Sequence, residues 1–301
     1  MPTDRPRSVG TRVAHIDPHH ESRTRPRHHA AAMDVVALLA RSGGVARARD
    51  LLAAGASAAL LTRAVRNGVV LRVARGVYAL PDHDAGARTA LSLGSELGCI
   101  SAAQLRGLWV LRPPRLLHVT TDSGHGIDSD RVRVHRAARP VSDLTVCLQV
   151  MRCLPELDAL CIVESAVVRG SVSLEDLRGQ ALGRRSGSVR RIVGSVDPHA
   201  ESILETVARY HLLRAGFQIS SQVHIPGVGR LDLFVDGVLG IEADGRQHHS
   251  DRREFEEDRR RWNILTTRGV PVLRVTRSLL FDAPGQFIQL VRATLATRSP
   301  H

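Results

Sequence analysis

Lysine is absent from this sequence: all 42 basic residues are arginine. Arginine stays protonated in proteins, so no lysine amine is available here as a general base or Schiff-base nucleophile. Aromatic residues make up only 3% of the chain, and its cores must therefore be built from Ala, Leu and Val. Its apolar runs all fall far short of the roughly 20 residues that a membrane span needs. No charged n-region followed by an apolar stretch opens the chain, so a secretory signal is not expected. Only four cysteines are present, Cys99, Cys147, Cys153 and Cys161. None forms a CxxC pair and no histidine partners them at a zinc-motif spacing, which predicts reduced, mostly buried thiols in a cytoplasmic protein.

What is present is a globular composition of 43% hydrophobic and 24% charged residues over 301 positions, enough for more than one domain. The net charge is +12 and the excess is uneven. From Asp197 to the end there are 14 Arg against 13 acids, and before it 28 Arg against 17. A basic portion joined to a nearly neutral one suits a polyanionic partner. A genome-wide preference for arginine accounts for the same count.

Residues 1–32 carry six arginines, five histidines and several prolines without an apolar period, and are expected to be a disordered tail. Patterned sequence begins at Met33. Val35, Val36, Leu38 and Leu39 predict a first helix, closed by Gly43-Gly44. Ala48, Leu51 and Leu52 predict a second, closed by Gly55. Ser57 is suited to cap a third, with Leu60, Leu61, Ala64 and Val65 inward and Asn67-Gly68 as its stop. Val69–Val73 and Val77–Leu80 then read as strands around Arg75-Gly76. Three helices and a hairpin predict a winged helix-turn-helix at 33–82. Arg63 and Arg66 on the third helix and Arg72 and Arg75 on the wing would meet bases and phosphates. A protein-docking module is the other reading of so small a unit. The strings "GVARARDLLAAGAS" and "VLRVARGVYAL" resemble the N-terminal winged-helix domain of abortive-infection antitoxins, which implies a toxin–antitoxin or defence-system partner.

Residues 88–185 predict a mixed α+β region, with a helix over "ISAAQLRGLWVL", strands at "RLLHVTT" and "RVRVHRA", and helices at Val146–Leu154, Leu157–Arg169 and Leu174–Leu182. The segment looks like the middle part of the same antitoxin-like proteins. His118 and His135 alternate with apolar neighbours and read as packed or half-exposed strand residues. Residues 184–196, rich in Arg, Gly and Ser, read as a linker.

The last region, 197–301, predicts the order αβββαβα. Its first helix is expected to start at Asp197-Pro198 and to carry Glu201 and Glu205 one turn apart. Asp232 lies on one predicted strand, and Glu242 and Asp244 lie at i, i+2 on the next, hence on one face. Carboxylates are uncommon inside strands. Three of them at one sheet edge would suit Mg²⁺ or Mn²⁺, which lowers the pKa of a bound water. Solvated charges around an Asp236-Gly237 hairpin are the alternative. Pairing across that hairpin decides between them: a two-residue loop would put Asp232 and Glu242 on opposite faces, whereas a three-residue loop, drawn as Val235-Asp236-Gly237, would put them on one.

The string "GRLDLFVDGVLGIEADGRQHH", the "FEEDRRR" helix and the "GVPVLRVT" strand resemble the PD-(D/E)xK nuclease superfamily, and within it the Vsr-like branch of very-short-patch-repair endonucleases. The resemblance implies a restriction-endonuclease-like core, Asp232 and Glu242 as metal ligands, Glu201 as the first-helix acid, and His248 as a proton-transfer group, with Asp244 standing where the superfamily usually has lysine. The implied activity is metal-dependent DNA hydrolysis. The alternatives are a non-catalytic antitoxin-like transcriptional regulator with a degenerate nuclease domain, and an interaction protein docked through its winged helix.

Overall fold

The computed structural model describes residues 35–122, 130–182, 187–244 and 252–297, so the tail predicted at 1–32 lies outside the described residues. Helix α1 (Val35–Ala40) leads into a short strand β1 (Val45–Arg47), helix α2 (Ala48–Ala53), helix α3 (Ala58–Arg66) and the hairpin β2 (Leu71–Ala74)–β3 (Val77–Ala79). Ser57 caps α3 as its sequence suggested, its hydroxyl accepting the Leu60 N–H at 3.2 Å. Strand β1 is too short to show a period of two, and it is new relative to the sequence reading. It pairs antiparallel with β3, which makes a three-stranded sheet ordered β1-β3-β2. Leu39, Leu51, Leu61, Ala64 and Val70 form the small core beneath it. Gly43 is in the left-handed region at φ +69°, and a Cβ there would come within 2.7 Å of the Ala87 Cβ, so the turn after α1 needs glycine twice over.

The middle region runs through α4 (Ala85–Ser92), β4 (Glu96–Leu97), α5 (Cys99–Leu105), β5 (Leu117–Thr121), β6 (Val132–Arg136), α6 (Asp143–Cys153), α7 (Glu156–Val168), α8 (Leu174–Gln180) and α9 (Gly187–Ser195). Its sheet is small, ordered β4-β5-β6, with β5 and β6 parallel. Helix α7 is buried on every side from Asp158 to Ala166 and forms the axis of this region. The linker expected at 184–196 is largely helix α9. Val189, Ile192 and Val193 follow i, i+3, i+4 spacing and are buried against the core. The Arg, Gly and Ser content between those residues had masked the period.

The C-terminal region has the expected order with one addition: α10 (Ile203–Arg214), β7 (Ile219–Ile225), β8 (Gly229–Val235), β9 (Leu239–Asp244), α11 (Arg252–Thr267), β10 (Val272–Thr276), a short α12 (Arg277–Phe281) and α13 (Pro284–Ala296). Sheet order is β10-β9-β8-β7; α11 makes the crossover that leaves β9 and β10 parallel. Leu233, Val235, Leu239, Ile241 and Val275 pack against α10, α12 and α13 through Leu204, Val207, Leu212, Leu280 and Phe287. The first helix begins at Ile203, not Asp197, because Ser202 is its cap: the Ser202 hydroxyl accepts the Glu205 N–H at 3.2 Å. The described residues from Val35 onward form one unit. Within it a buried network joins α7 to α10. Glu164 receives Arg209, the Thr206 hydroxyl at 2.6 Å and the Asp197 N–H at 2.7 Å.

Candidate functional site

The hairpin between β8 and β9 sets the geometry of the acids. Leu233 pairs with Ile241, Phe234 with Gly240 and Val235 with Leu239, which leaves Asp236, Gly237 and Val238 as the loop. Asp236 (φ +50°) and Gly237 (φ +69°) both take left-handed backbone, and the Val238 N–H returns to the Val235 carbonyl at 3.0 Å. The loop has the odd length that keeps Asp232 and Glu242 on one face. It is displaced by one residue from the loop drawn on the sequence, so the register continues to Asp232 opposite Glu242 rather than opposite Gly240. Just past the ladder the Ala243 N–H donates to Asp232 Oδ2 at 2.9 Å, while Ala243 itself packs on the core. Glu242 and Asp244 therefore share the other face.

Glu201 is not on the helix. It precedes the Ser202 cap, is exposed, and its carboxylate accepts from Arg230 Nη2 at 2.6 Å. The buried helix acid is Glu205, at the third helical position behind its cap. It accepts the Glu201 N–H at 2.9 Å and the Gln222 amide at 2.8 Å. Burial raises the pKa of Glu205, and the nearby charge of Asp232 adds to the rise. Asp232 is raised in the same way, by burial first, against the Ala243 N–H and the charges of Arg230 and Arg261. The Ser202–Glu205 spacing was visible as a capping signature, and it is what separates the two glutamates.

Glu242 is answered by guanidinium groups. Arg261 of α11 donates to Glu242 Oε1 at 3.0 Å and to the Arg230 carbonyl at 3.2 Å. Arg274, across from Glu242 on β10, lies 3.4 Å from Glu242 Oε2 and stacks over the Trp262 ring at 5.0 Å. Both oxygens of Glu242 thus face a fixed positive charge. Among the described residues no three carboxylates offer oxygens within 4.8 Å of one another. A divalent ion at Asp232 and Glu242 would have to displace Arg261, so the acids as arranged do not fit Mg²⁺ or Mn²⁺. His248 lies outside the described residues.

At the other end of the chain, Leu61 and Ala64 turn α3 inward while Arg63 and Arg66 face solvent on its last turn. Arg72 on β2 and Arg75 in the hairpin turn are exposed as well. None of the four is ion-paired to a described residue. Residues 33–81 match the family model described as transcriptional regulator, AbiEi antitoxin. The matched segment spans α1 to β3 and covers 49 of the 301 residues. It includes all four arginines and none of the acids. No curated protein matches the chain. No helix among the described residues is long and apolar enough to cross a membrane.

Proposed function

We propose that this chain is a DNA-binding transcriptional regulator of the antitoxin type, and that residues 35–79 act as a winged helix-turn-helix. One observation carries the reading. The segment that matches the antitoxin regulators holds three helices and a three-stranded sheet, and its third helix and hairpin expose four arginines with no acid partner among the described residues. Arg63 and Arg66 would enter the major groove on α3, with Arg72 and Arg75 on the flanking phosphates. The charge excess before Asp197 supplies the long-range attraction to the duplex. The partner implied is the toxin of a toxin–antitoxin pair. The test is fluorescence anisotropy with duplex DNA from immediately upstream of the chain's own coding sequence, in competition with mixed-sequence duplex. Tighter binding to the upstream duplex is expected. Absence of binding at low salt would overturn the reading.

A second reading, a DNA endonuclease of Vsr-like type, rests on the odd loop that aligns Asp232 with Glu242 beside buried Glu205. Arg261 stands in its way, and no hydrolytic step is derived through a metal. Incubation of supercoiled plasmid with the purified chain and Mg²⁺ or Mn²⁺ separates the two. Nicking that is abolished by chelator and by Asp232→Asn would replace the regulator reading of this domain. An intact plasmid retires the endonuclease.

A further inference from the structure

We propose that Cys99, His118, His135 and Cys153 form a closed, structural Zn²⁺ site in the middle region. Each side chain offers one ligand atom, and the four atoms all lie within 4.8 Å of one another. They come from four separate elements: the first residue of α5, strands β5 and β6, and the last residue of α6.

The spacing is that of a coordination sphere. A tetrahedral zinc with Zn–N of about 2.0–2.1 Å and Zn–S of about 2.3 Å sets N···N edges at about 3.3 Å and N···S edges at about 3.6 Å. His118 Nδ1 lies 3.1 Å from His135 Nε2, and Cys153 Sγ lies 3.9 Å from His118 Nδ1. Both values differ from the ideal by a few tenths of an ångström. The parallel register explains how the two imidazoles meet. Thr120 pairs with His135 and His118 with Arg133, so His118, Thr120, Arg133 and His135 share one face of the sheet, and the rings stack with centroids 5.3 Å apart.

The surroundings hold the ligands in place. Cys99 takes a left-handed backbone at φ +47°. Its N–H is held by Gln149 Oε1 at 2.7 Å, and the Gln149 amide donates to Thr120 Oγ1 at 2.9 Å. Gly98 permits that approach, since a Cβ there would sit 2.0 Å from Thr120 Oγ1. The His118 N–H donates to Ser101 Oγ at 2.9 Å. Helices α5 and α6 and strand β5 are thus fixed around one point by bonds that do not involve the ligand atoms themselves, and β6 is held there by its pairing with β5.

The donor set selects the ion. Two thiolates and two neutral imidazoles suit Zn²⁺ in a tetrahedral site and leave it with no net charge. Four protein ligands leave no open position, so the site is structural rather than catalytic. Cys99 and His118 are buried, whereas His135 and Cys153 are half-exposed and give the ion a way in. This inference is independent of both functional readings above.

The full chain, purified in the presence of zinc without chelator, is expected to carry about one Zn²⁺ per chain by inductively coupled plasma mass spectrometry. Reduced apo-protein given Co²⁺ is expected to develop the thiolate charge-transfer and ligand-field bands of tetrahedral cobalt. Cys153→Ser and His135→Asn should each lose the metal, and Cys147→Ser, which alters a buried cysteine outside the group, should keep it. The wild-type cobalt spectrum answers the question even if a variant fails to fold. A reduced wild-type chain that takes up neither ion would overturn the proposal. So would a Cys99–Cys153 disulfide found by mass spectrometry in protein prepared without oxidant, or variants that retain the metal.

Discussion

Two groups of candidate ligands sit in neighbouring regions of this molecule, and they are balanced in opposite ways. In the C-terminal region Glu201 and Glu242 are matched by cations from the protein itself: Arg230 on Glu201, Arg261 and Arg274 on Glu242. The thiols and imidazoles of the middle region meet one another. A carboxylate group already neutralised by guanidinium has little to gain from a metal. A cluster of two cysteines and two histidines, converging on one point between small elements, has much to gain. The comparison separates a site that resembles a metal centre in sequence from one that resembles it in geometry.

The largest effect expected from this contrast is on removal of metal. Strong chelation under reducing conditions should lower the thermal midpoint of the chain by about 10 °C or more, because binding energy at a structural zinc is folding energy. The three strands of the middle sheet are only two to five residues long, and the ion would add a tie from β5 and β6 to the ends of α5 and α6. The paired variant Asp232→Asn/Glu242→Gln should show no such dependence on chelator. A chelator-insensitive midpoint in the zinc-purified chain would erase the distinction between the two groups.

The next effect concerns how the regions are joined. Glu164 and Arg209 are both buried, and Glu164 also accepts from Thr206 and from the Asp197 N–H. Glu164→Ala would leave the buried Arg209 guanidinium with only the Asp197 carboxylate, at 3.8 Å, and should cost about 3 kcal/mol, the lower end for a broken buried pair. Hydrogen exchange should then show α10 and the C-terminal sheet opening separately from α7. The same truncation at exposed Glu201 is expected to cost about 0–1 kcal/mol. Equal losses in urea denaturation would mean that burial does not set the value of these pairs.

A smaller effect is expected at Arg261. Arg261→Ala removes one of the two cations on Glu242 and should cost about 1 kcal/mol, the upper end for a partly exposed ion pair. It should also create weak Mn²⁺ binding, detectable by electron paramagnetic resonance, that the parent chain lacks. If the parent chain binds Mn²⁺ equally well, Arg261 does not close the acid site.

Sequence carried the local parts of this structure well. Ser57 as a cap, the helix over "FEEDRRR" and the turn at Asp236-Gly237 all depend on residues close in the chain. Short or diluted signals were lost: β1 has three residues, and the apolar period of α9 is diluted by Arg, Gly and Ser. The helix acid was misassigned because Glu201 and Glu205 look equivalent until Ser202 is recognised as the cap. The Cys–His group was invisible for a different reason. Its members lie at 99, 118, 135 and 153, a spacing that matches no zinc motif, and only the parallel pairing of β5 with β6 and the return of α6 bring them together. Long-range convergence leaves no local pattern.

The smallest effect, and the one that tests the role of the N-terminal segment, is electrostatic. Arg63 and Arg66 are exposed at the end of α3, and neither side chain is ion-paired to a described residue, so Arg63→Ala and Arg66→Ala should leave the thermal midpoint within about 1–2 °C of the parent, as is usual for surface changes. Their effect should appear in the salt dependence of DNA binding. Each phosphate contact releases condensed counterions, and losing one should reduce the slope of log K against log salt by about 0.9. A residue that instead contacts a base edge should leave the slope nearly unchanged, and its loss should weaken binding to the preferred duplex more than to mixed sequence. The two arginines are three residues apart, nearly one helical turn, so they face the duplex together and their single effects are expected to add in the double variant. Unchanged affinity and slope in the double variant would show that α3 meets protein rather than DNA, and the charge excess of the first two-thirds of the chain would then need another partner.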